Sequence, residues 1–213
     1  MPEACEGEVT EYHKIETLYE RDETTFKVRA GILKNRTYSL LKVWHWTEKV
    51  DGMNMRCIWH EGGLTFGGRA DDTWIHPDLT KWLHEYVTVD KMREVFHDAS
   101  AVVYGEGYGA GIRKGGDYSL VKSLIVFDVL VDGKWWLSHG NVIDVATRLG
   151  LEVVPSFGEM TLEDACEFVR QGFKSRCAIN MSKQAEGLVG RPLETLFDKK
   201  GHRLITKIKT KDF

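Results

Sequence analysis

A chain of 213 residues is long enough for one domain with a substantial core, since 42% of its residues are hydrophobic. Its net charge of −3 argues against a surface that is basic throughout, so a nucleic acid would have to be held by a local basic groove. No apolar run approaches the ~20 residues that span a bilayer. The acidic N-terminus also lacks the apolar core of a secretory signal.

The four cysteines are Cys5, Cys57, Cys166 and Cys177. None belongs to a C-x-x-C pair, which disfavours a structural zinc site and predicts free thiols. Free thiols persist in reducing compartments. Together with the missing secretory and membrane signals, they predict a cytoplasmic, reducing location and no membrane partner.

Short runs of β-branched and aromatic residues predict strands, in chain order, at 42–46, 54–59, 101–104, 124–131, 188–189 and 203–209. Helical spacing and capping signals predict helices at 78–86, 90–96, 141–149 and 161–173. Asp78 and Thr161 are candidate N-caps, and Gly150 is a candidate C-terminal stop. The predicted fold class is a strand-rich α+β domain.

The first informative motif is Lys49-Val50-Asp51-Gly52-Met53-Asn54, between two predicted strands. Gly52 is expected to permit a tight turn there. A lysine in a loop is ordinarily a solvated surface residue. The spacing K-x-D-G-x-N, however, resembles the nucleophile motif of the covalent nucleotidyltransferases, a superfamily that contains DNA ligases, RNA ligases and mRNA capping enzymes.

Further segments resemble the remaining motifs of that superfamily in the expected order. They are Gly67-Gly68-Arg69, 103–109 around Glu106, 125–129 around Phe127, 185–189 around Glu186, and Lys207-Ile208-Lys209. The resemblance implies that Arg69 contacts the nucleotide, Glu106 meets the ribose and Phe127 stacks on the base. It implies that Glu186 serves a metal and that the two lysines face the phosphates.

Several alternatives accompany these roles. Lys209 and Lys211 fit the lysine-pair pattern too, although the spacing from Glu186 favours Lys207 and Lys209. Outside the resemblance, Lys207 and Lys209 would suit a solvated edge strand. An aromatic such as Phe127 in an apolar run would suit a core. The alternating glycines of 105–111 lack the G-x-G-x-x-G spacing of a dinucleotide fingerprint.

Within the superfamily, the nick-sealing RNA ligases, the RNA ligase 2-like branch, are the most similar. Asn54 and the phrase Glu186-Gly187-Leu188-Val189 belong to their pattern. The resemblance implies an α+β nucleotidyltransferase (adenylation) domain, with antiparallel sheets flanked by helices and the nucleotide pocket between them. It also assigns Glu48 and Asn54 to nucleotide binding.

The implied activity is ATP-dependent joining of RNA 3′-OH and 5′-phosphate ends, in a nicked duplex or hybrid, through AMP on Lys49. The attacking amine must be neutral, whereas an ordinary lysine has a pKa of about 10.4. Neighbouring positive charge from Lys207 and Lys209 would favour the neutral form. Mg²⁺ or Mn²⁺ is expected because phosphates and carboxylates are hard ligands, with Glu186 and Asp51 as candidate metal residues. Asp51 would equally suit a turn before glycine.

Residues 1–213 are expected to form a single nucleotidyltransferase domain without a C-terminal OB-fold or helical module. A partner protein could therefore supply RNA binding. The alternatives are another covalent nucleotidyltransferase, either an mRNA guanylyltransferase or a DNA ligase, and a non-catalytic RNA-binding module. Labelling from GTP would indicate the guanylyltransferase. A module that only binds RNA has no need of Lys49 as a neutral amine.

Overall fold

The computed structural model describes residues 11–213, and Cys5 lies outside the described residues. The chain divides into two compact units. The first contains residues 11–13 and Gly52–Val153, and the second contains Lys14–Asp51 and Val154–Phe213. The chain therefore passes from the second unit to the first between Asp51 and Gly52.

The strands are β1 (Glu16–Thr17), β2 (Tyr19–Arg21), β3 (Val28–Leu33), β4 (Trp44–Glu48), β5 (Met53–His60), β6 (Gly63–Gly67), β7 (Ala101–Tyr108), β8 (Ser123–Val131), β9 (Trp135–Trp136), β10 (Glu152–Val153), β11 (Ser156–Met160), β12 (Gly187–Arg191) and β13 (Thr206–Lys209). The α-helices are α1 (Pro77–Tyr86), α2 (Val89–Phe96), α3 (His139–Leu149) and α4 (Leu162–Gln171). Within residues 11–213, no helix is long and apolar enough to cross a membrane.

The first unit is built on a sheet with the strand order β10-β8-β7-β5-β6, and β9 pairs with β8. Its strands pair antiparallel except for the short β10, which runs parallel to β8. One face carries Met55, Cys57 and Val103, which pack with buried residues of α1, α2 and α3. Because side chains alternate along a strand, Asn54, Arg56, Tyr104 and Glu106 belong to the opposite face.

A β-bulge interrupts the pairing of β7 with β8. Tyr104 pairs with Asp128 and Gly105 pairs with Val126, so Phe127 is the extra residue. Val126 and Val129 can both join the core because of this insertion, although they are three residues apart. A bulge re-aims the side chain at its position. The predicted base-stacking residue is therefore the one that the bulge displaces from the regular alternation.

The second unit is built on a sheet with the strand order β1-β13-β12-β4-β11. Trp44 and Trp46 are both fully buried on one face of β4. They pack with Leu188, Ile208 and the apolar face of α4 in a second core cluster. This burial fixes the strand register, because a slip by one residue would expose both indoles. The strands β2 and β3 form a separate two-stranded sheet.

Helix caps follow the predicted chemistry in two of three cases. The Thr161 hydroxyl accepts a hydrogen bond from Asp164 N at 3.1 Å, as an N-cap does. Gly150 ends α3 in the left-handed conformation with a φ of 74°. The Asp78 prediction was wrong: His76 caps α1, and its Nδ1 accepts from the Asp78 backbone N–H at 3.2 Å.

The strand-rich α+β prediction is confirmed. The strand predicted at 42–46 is displaced to Trp44–Glu48. The strand predicted at 203–209 begins only at Thr206, because Arg203 instead forms an isolated bridge with Phe197. Cys57, Cys166 and Cys177 have free thiols, as expected.

Candidate active site

The lysines of the predicted site, together with Glu186, lie on or next to the ends of three adjacent strands of the second unit. Lys49 directly follows β4, Glu186 directly precedes β12, and Lys207 and Lys209 belong to β13. The strand order β13-β12-β4 makes these positions neighbours. The Lys49 backbone N–H donates to Gly187 O at 2.9 Å, which places the lysine beside the start of β12.

Glu186 bridges two of the lysines. Lys49 Nζ lies 2.5 Å from Glu186 Oε2, and Lys209 Nζ lies 3.2 Å from Oε1 of the same carboxylate. Burial on its own would raise the pKa of Glu186, but the two ammonium groups outweigh it and hold that pKa below its ordinary value. Both carboxylate oxygens therefore carry negative charge at neutral pH, and each faces one lysine.

The pKa of Lys207 is lower than that of an ordinary lysine. Burial, followed by the positive charges of Lys209 and Lys49, lowers the pKa of Lys207 to about 8. Along β13, Thr206 and Ile208 are buried, and the two lysines at the alternate positions are half-buried. Lys211, the other candidate for the lysine pair, is exposed in a 3-10 turn that spans Thr210–Asp212.

Glu48, which precedes Lys49, is 2% exposed, and its carboxylate is hydrogen-bonded within the second unit. It accepts from Ser175 Oγ at 2.5 Å and from the Arg176 backbone N–H at 2.8 Å. The Cys177 thiol is a further, weaker donor at 3.4 Å. These contacts hold the segment 175–177 against the end of β4. The predicted contact of Glu48 with the nucleotide stays a prediction.

The first unit carries another group of predicted residues. Asn54 on β5 pairs across the sheet with Glu106 on β7, and both are half-buried. Glu106 Oε1 accepts a hydrogen bond from the Gly52 backbone N–H at 3.0 Å. A side chain at Gly52 would collide with Gly107 O and with Glu106 Cγ. Gly52 is thus required for space rather than for the conformational freedom that the sequence had suggested.

Aromatic side chains surround Phe127 in the first unit. The Tyr12 ring meets the Phe127 ring edge-on with centroids 5.0 Å apart, and it also contacts Tyr104 and Trp136. The Tyr12 hydroxyl donates to Asp128 Oδ2 at 2.8 Å, and that carboxylate is fully buried. Sequence reasoning missed Tyr12 and Asp128, although an aspartate inside the apolar run of β8 was a usable signal.

Arg69 is exposed on the turn that follows β6. Arg56 of β5 is fully buried and donates hydrogen bonds to Gly68 O and Asp71 of the same turn. Sequence reasoning missed Arg56 too. An arginine in the otherwise apolar run Met55–Trp59, two residues after Asn54, was the available signal.

A metal would find few protein ligands in the described part of the chain. Among residues 11–213, no three His, Cys, Asp or Glu side chains form a cluster that could hold an ion. In the second unit, the oxygen donors Glu186 and the half-buried Asp51 are present singly. This donor set fits a hard cation that keeps most of its water and phosphate ligands, as Mg²⁺ does.

Comparison with known sequences identifies the family of this chain. The sequence model of the RNA ligase family matches residues 42–209, which include every predicted site residue. The chain belongs to the RNA ligase family. No curated protein sequence matches it significantly.

Solved structures agree in fold with this RNA ligase family member. A variant of the Naegleria gruberi RNA ligase with AMP and Mn matches at a TM-score of 0.65 and 14% identity, covering 82% of this chain and 52% of that one. Another variant with ATP and Mn matches at 0.62 and 18% identity, covering 81% and 52%. The same ligase with PPi matches at 0.59 and 19%, covering 79% and 49%. This chain thus spans about half the length of those ligases.

Proposed function

We propose that this chain carries the nucleotidyltransferase activity of an ATP-dependent RNA ligase, with Lys49 as the residue that becomes adenylylated. The observation that carries the proposal is the arrangement of Lys49, Glu186 and Lys209, in which one carboxylate bridges two ammonium groups. A half-buried lysine among charged partners is atypical of a solvated loop. Partial burial and the neighbouring cation Lys209 are the features that suit a lysine to nucleophilic chemistry on a phosphate.

In the proposed first step, Lys49 gives up a proton of the ammonium form that pairs with Glu186, and the neutral amine then attacks the α-phosphorus of ATP. A P–N bond forms, the bond from that phosphorus to the bridging oxygen breaks, and pyrophosphate leaves with the electron pair. The lysine nitrogen releases one of its two protons to solvent as the P–N bond forms. Lys207 and Lys209 would stabilise negative charge on the phosphates, because fixed cations act most strongly where charge develops.

Other side chains would recognise the nucleotide. Glu106 can accept hydrogen bonds from ribose hydroxyls, and Phe127 offers an aromatic face or edge to the base. Arg69 presents a guanidinium, whose donors suit phosphate oxygens. Gly52 N–H already fixes one oxygen of Glu106, so this carboxylate is oriented before a ligand arrives.

A divalent cation would be held through Glu186 and Asp51 of the second unit. When bound, it would neutralise phosphate charge. Solved structures of the Naegleria gruberi ligase with ATP and Mn, and with AMP and Mn, support ATP and a divalent cation as the cofactors. Those with PPi support the choice of leaving group.

The proposed acceptor is RNA with a 5′-phosphate and a 3′-OH, at a nick in a duplex or hybrid, in the cytoplasm. An RNA phosphate oxygen takes the AMP from Lys49, giving an adenylylated RNA end. The 3′-OH then attacks the 5′-phosphorus, AMP leaves, and a phosphodiester remains. Membership of the RNA ligase family supports RNA as the substrate class.

Incubation with α-labelled ATP or GTP and Mg²⁺ or Mn²⁺, followed by denaturing electrophoresis, tests the first step. We expect label from ATP on the wild-type chain and none on Lys49→Ala. Lys42→Ala is the matched control, because Lys42 is an exposed lysine just before the same strand. Label from GTP alone would indicate a guanylyltransferase, and no label from either nucleotide would contradict the proposal.

A further inference from the structure

Arg56 is a charged side chain in the middle of β5 and is fully buried. Burying a guanidinium is unfavourable unless its donors find partners. Arg56 is paired across the sheet with Gly67 of β6 and with Tyr104 of β7. The proposed reaction gives this arginine no role, so its burial needs a separate explanation.

The hydrogen bonds of Arg56 lead to a single turn. Its Nε donates to Gly68 O at 2.7 Å, and its Nη2 donates to Asp71 Oδ1 at 2.6 Å. Asp71 is 87% exposed, so it is held in place by this ion pair rather than by packing. The two anchor points, Gly68 and Asp71, lie on either side of Arg69 in the sequence.

The backbone of the turn is also shaped around the guanidinium. A Cβ at Gly67 would lie 3.0 Å from Arg56 Nη2 and 3.3 Å from Nε, so the guanidinium rests against bare backbone. Farther along, the Ala70 N–H donates to Thr73 Oγ1 at 3.1 Å, and the Thr73 N–H donates to Ala70 O. Those two bonds close the turn on itself, whereas Arg56 joins it to the sheet.

We propose that Arg56 is a positioning residue that fixes the turn 67–73 and thereby holds Arg69 where it binds the nucleotide. This inference rests on the proposed function, which gives Arg69 its ligand. A fixed turn would lower the entropic cost of immobilising Arg69 on a phosphate. Arg56 acts through Arg69 and does not itself touch the nucleotide.

Asp71→Ala is the most informative variant, because an exposed carboxylate can be removed without leaving a cavity. Asp72→Ala is its matched control: it removes the same charge from the neighbouring exposed position. We expect Asp71→Ala to raise the KM for ATP in lysine adenylylation about fivefold, with little change in kcat, since a charge-assisted hydrogen bond is lost. Asp72→Ala should remain within about twofold of wild type.

A double-mutant cycle separates positioning from a general loss of stability. Asp71→Ala combined with Arg69→Ala should be no worse than Arg69→Ala alone, because the turn then has nothing left to position. Any increase in the KM for ATP caused by Arg56→Lys should likewise disappear when Arg69 is replaced by alanine. Hydrogen exchange of the peptide covering 67–73 should increase in Asp71→Ala and not in Asp72→Ala.

Three results would overturn the inference. The first is a KM for ATP in Asp71→Ala equal to that in Asp72→Ala. The second is additivity of the effects of Asp71→Ala and Arg69→Ala on the KM for ATP. Arg56→Lys could raise the KM equally with and without Arg69, which would indicate that Arg56 contacts the nucleotide directly through its buried, unpartnered Nη1. Wild-type protein that takes up no label would instead overturn the proposed function, and the positioning role would fall with it.

Discussion

Lys49 and Glu186 are joined by an ion pair of 2.5 Å in the second unit, although 137 residues separate them in the sequence. The start of β12 lies beside the end of β4, and the backbone bond from Lys49 N to Gly187 O fixes this register. The sheet therefore determines which carboxylate the lysine meets.

Replacing Glu186 with glutamine should reduce adenylylation of Lys49. The substitution keeps the shape of the side chain but removes the negative charge that faces Lys49 and Lys209. We expect labelling from ATP to fall by at least about tenfold, because an amide holds the proposed divalent cation less strongly than a carboxylate does. Glu194→Gln is the control, since Glu194 is exposed on the same unit. Equal labelling rates in the two variants would contradict the assigned role of Glu186.

Glu186 should also contribute to stability in a defined pH range. Its pKa is lowered in the folded chain, so its contribution is present above the ordinary value of 4.5 and is lost as the pH falls through the lower folded value. In urea unfolding at several pH values, the free energy of unfolding should fall more steeply with decreasing pH in wild type than in Glu186→Gln. Parallel curves for the two proteins would be inconsistent with the ion pairs.

Lys207 should make nucleotide binding sensitive to pH. Its pKa of about 8 lies below the ordinary 10.5, so the free chain loses this ammonium group as the pH rises through about 8. We expect the KM for ATP to rise between roughly pH 7 and 9 in wild type and to change less in Lys207→Arg, because arginine remains charged. Lys211→Arg should keep the wild-type profile. If the KM for ATP instead became insensitive to pH in Lys211→Arg and kept the wild-type profile in Lys207→Arg, Lys209 and Lys211 would be the lysine pair.

Glu48 should act through the segment 175–177. Glu48→Gln weakens hydrogen bonds to a buried carboxylate and should lower the free energy of unfolding by about 2 kcal/mol. Ser175→Ala should have a smaller effect of about 1 kcal/mol, and the two should not add because they share one contact. Glu159→Gln, at an exposed position of β11, is the control. Additive effects on stability would contradict the shared contact, whereas a change confined to the KM for ATP would favour direct nucleotide contact by Glu48.

The sequence was sufficient for the fold class, for the order of the motifs, and for all four α-helices and six of the 13 strands in the described residues. Thr161 and Gly150 act as predicted because helix caps depend on local chemistry. Contacts between distant segments were not readable. The hydrogen bonds of Glu48 with Ser175 and of Arg56 with Asp71 depend on strand register and turn geometry, which a single sequence does not specify. Gly52 shows the same limit, since its requirement for space comes from β7.

The short edge strands were also missed. Strands β1, β9 and β10 contain two residues each, too few for an alternating pattern to be recognised. The bulge at Phe127 is equally invisible in sequence, because it exists only in the pairing of β8 with β7.

The most direct test of the central claim is the mass of the intact chain after incubation with ATP and Mg²⁺ or Mn²⁺, followed by peptide mapping. The proposed mechanism predicts a gain of one adenylate, located on the peptide that contains Lys49 and absent from Lys49→Ala. Lys42→Ala should gain the adenylate as wild type does. A chain of unchanged mass, or an adenylate on any other lysine, would contradict the assignment of Lys49 as the nucleophile.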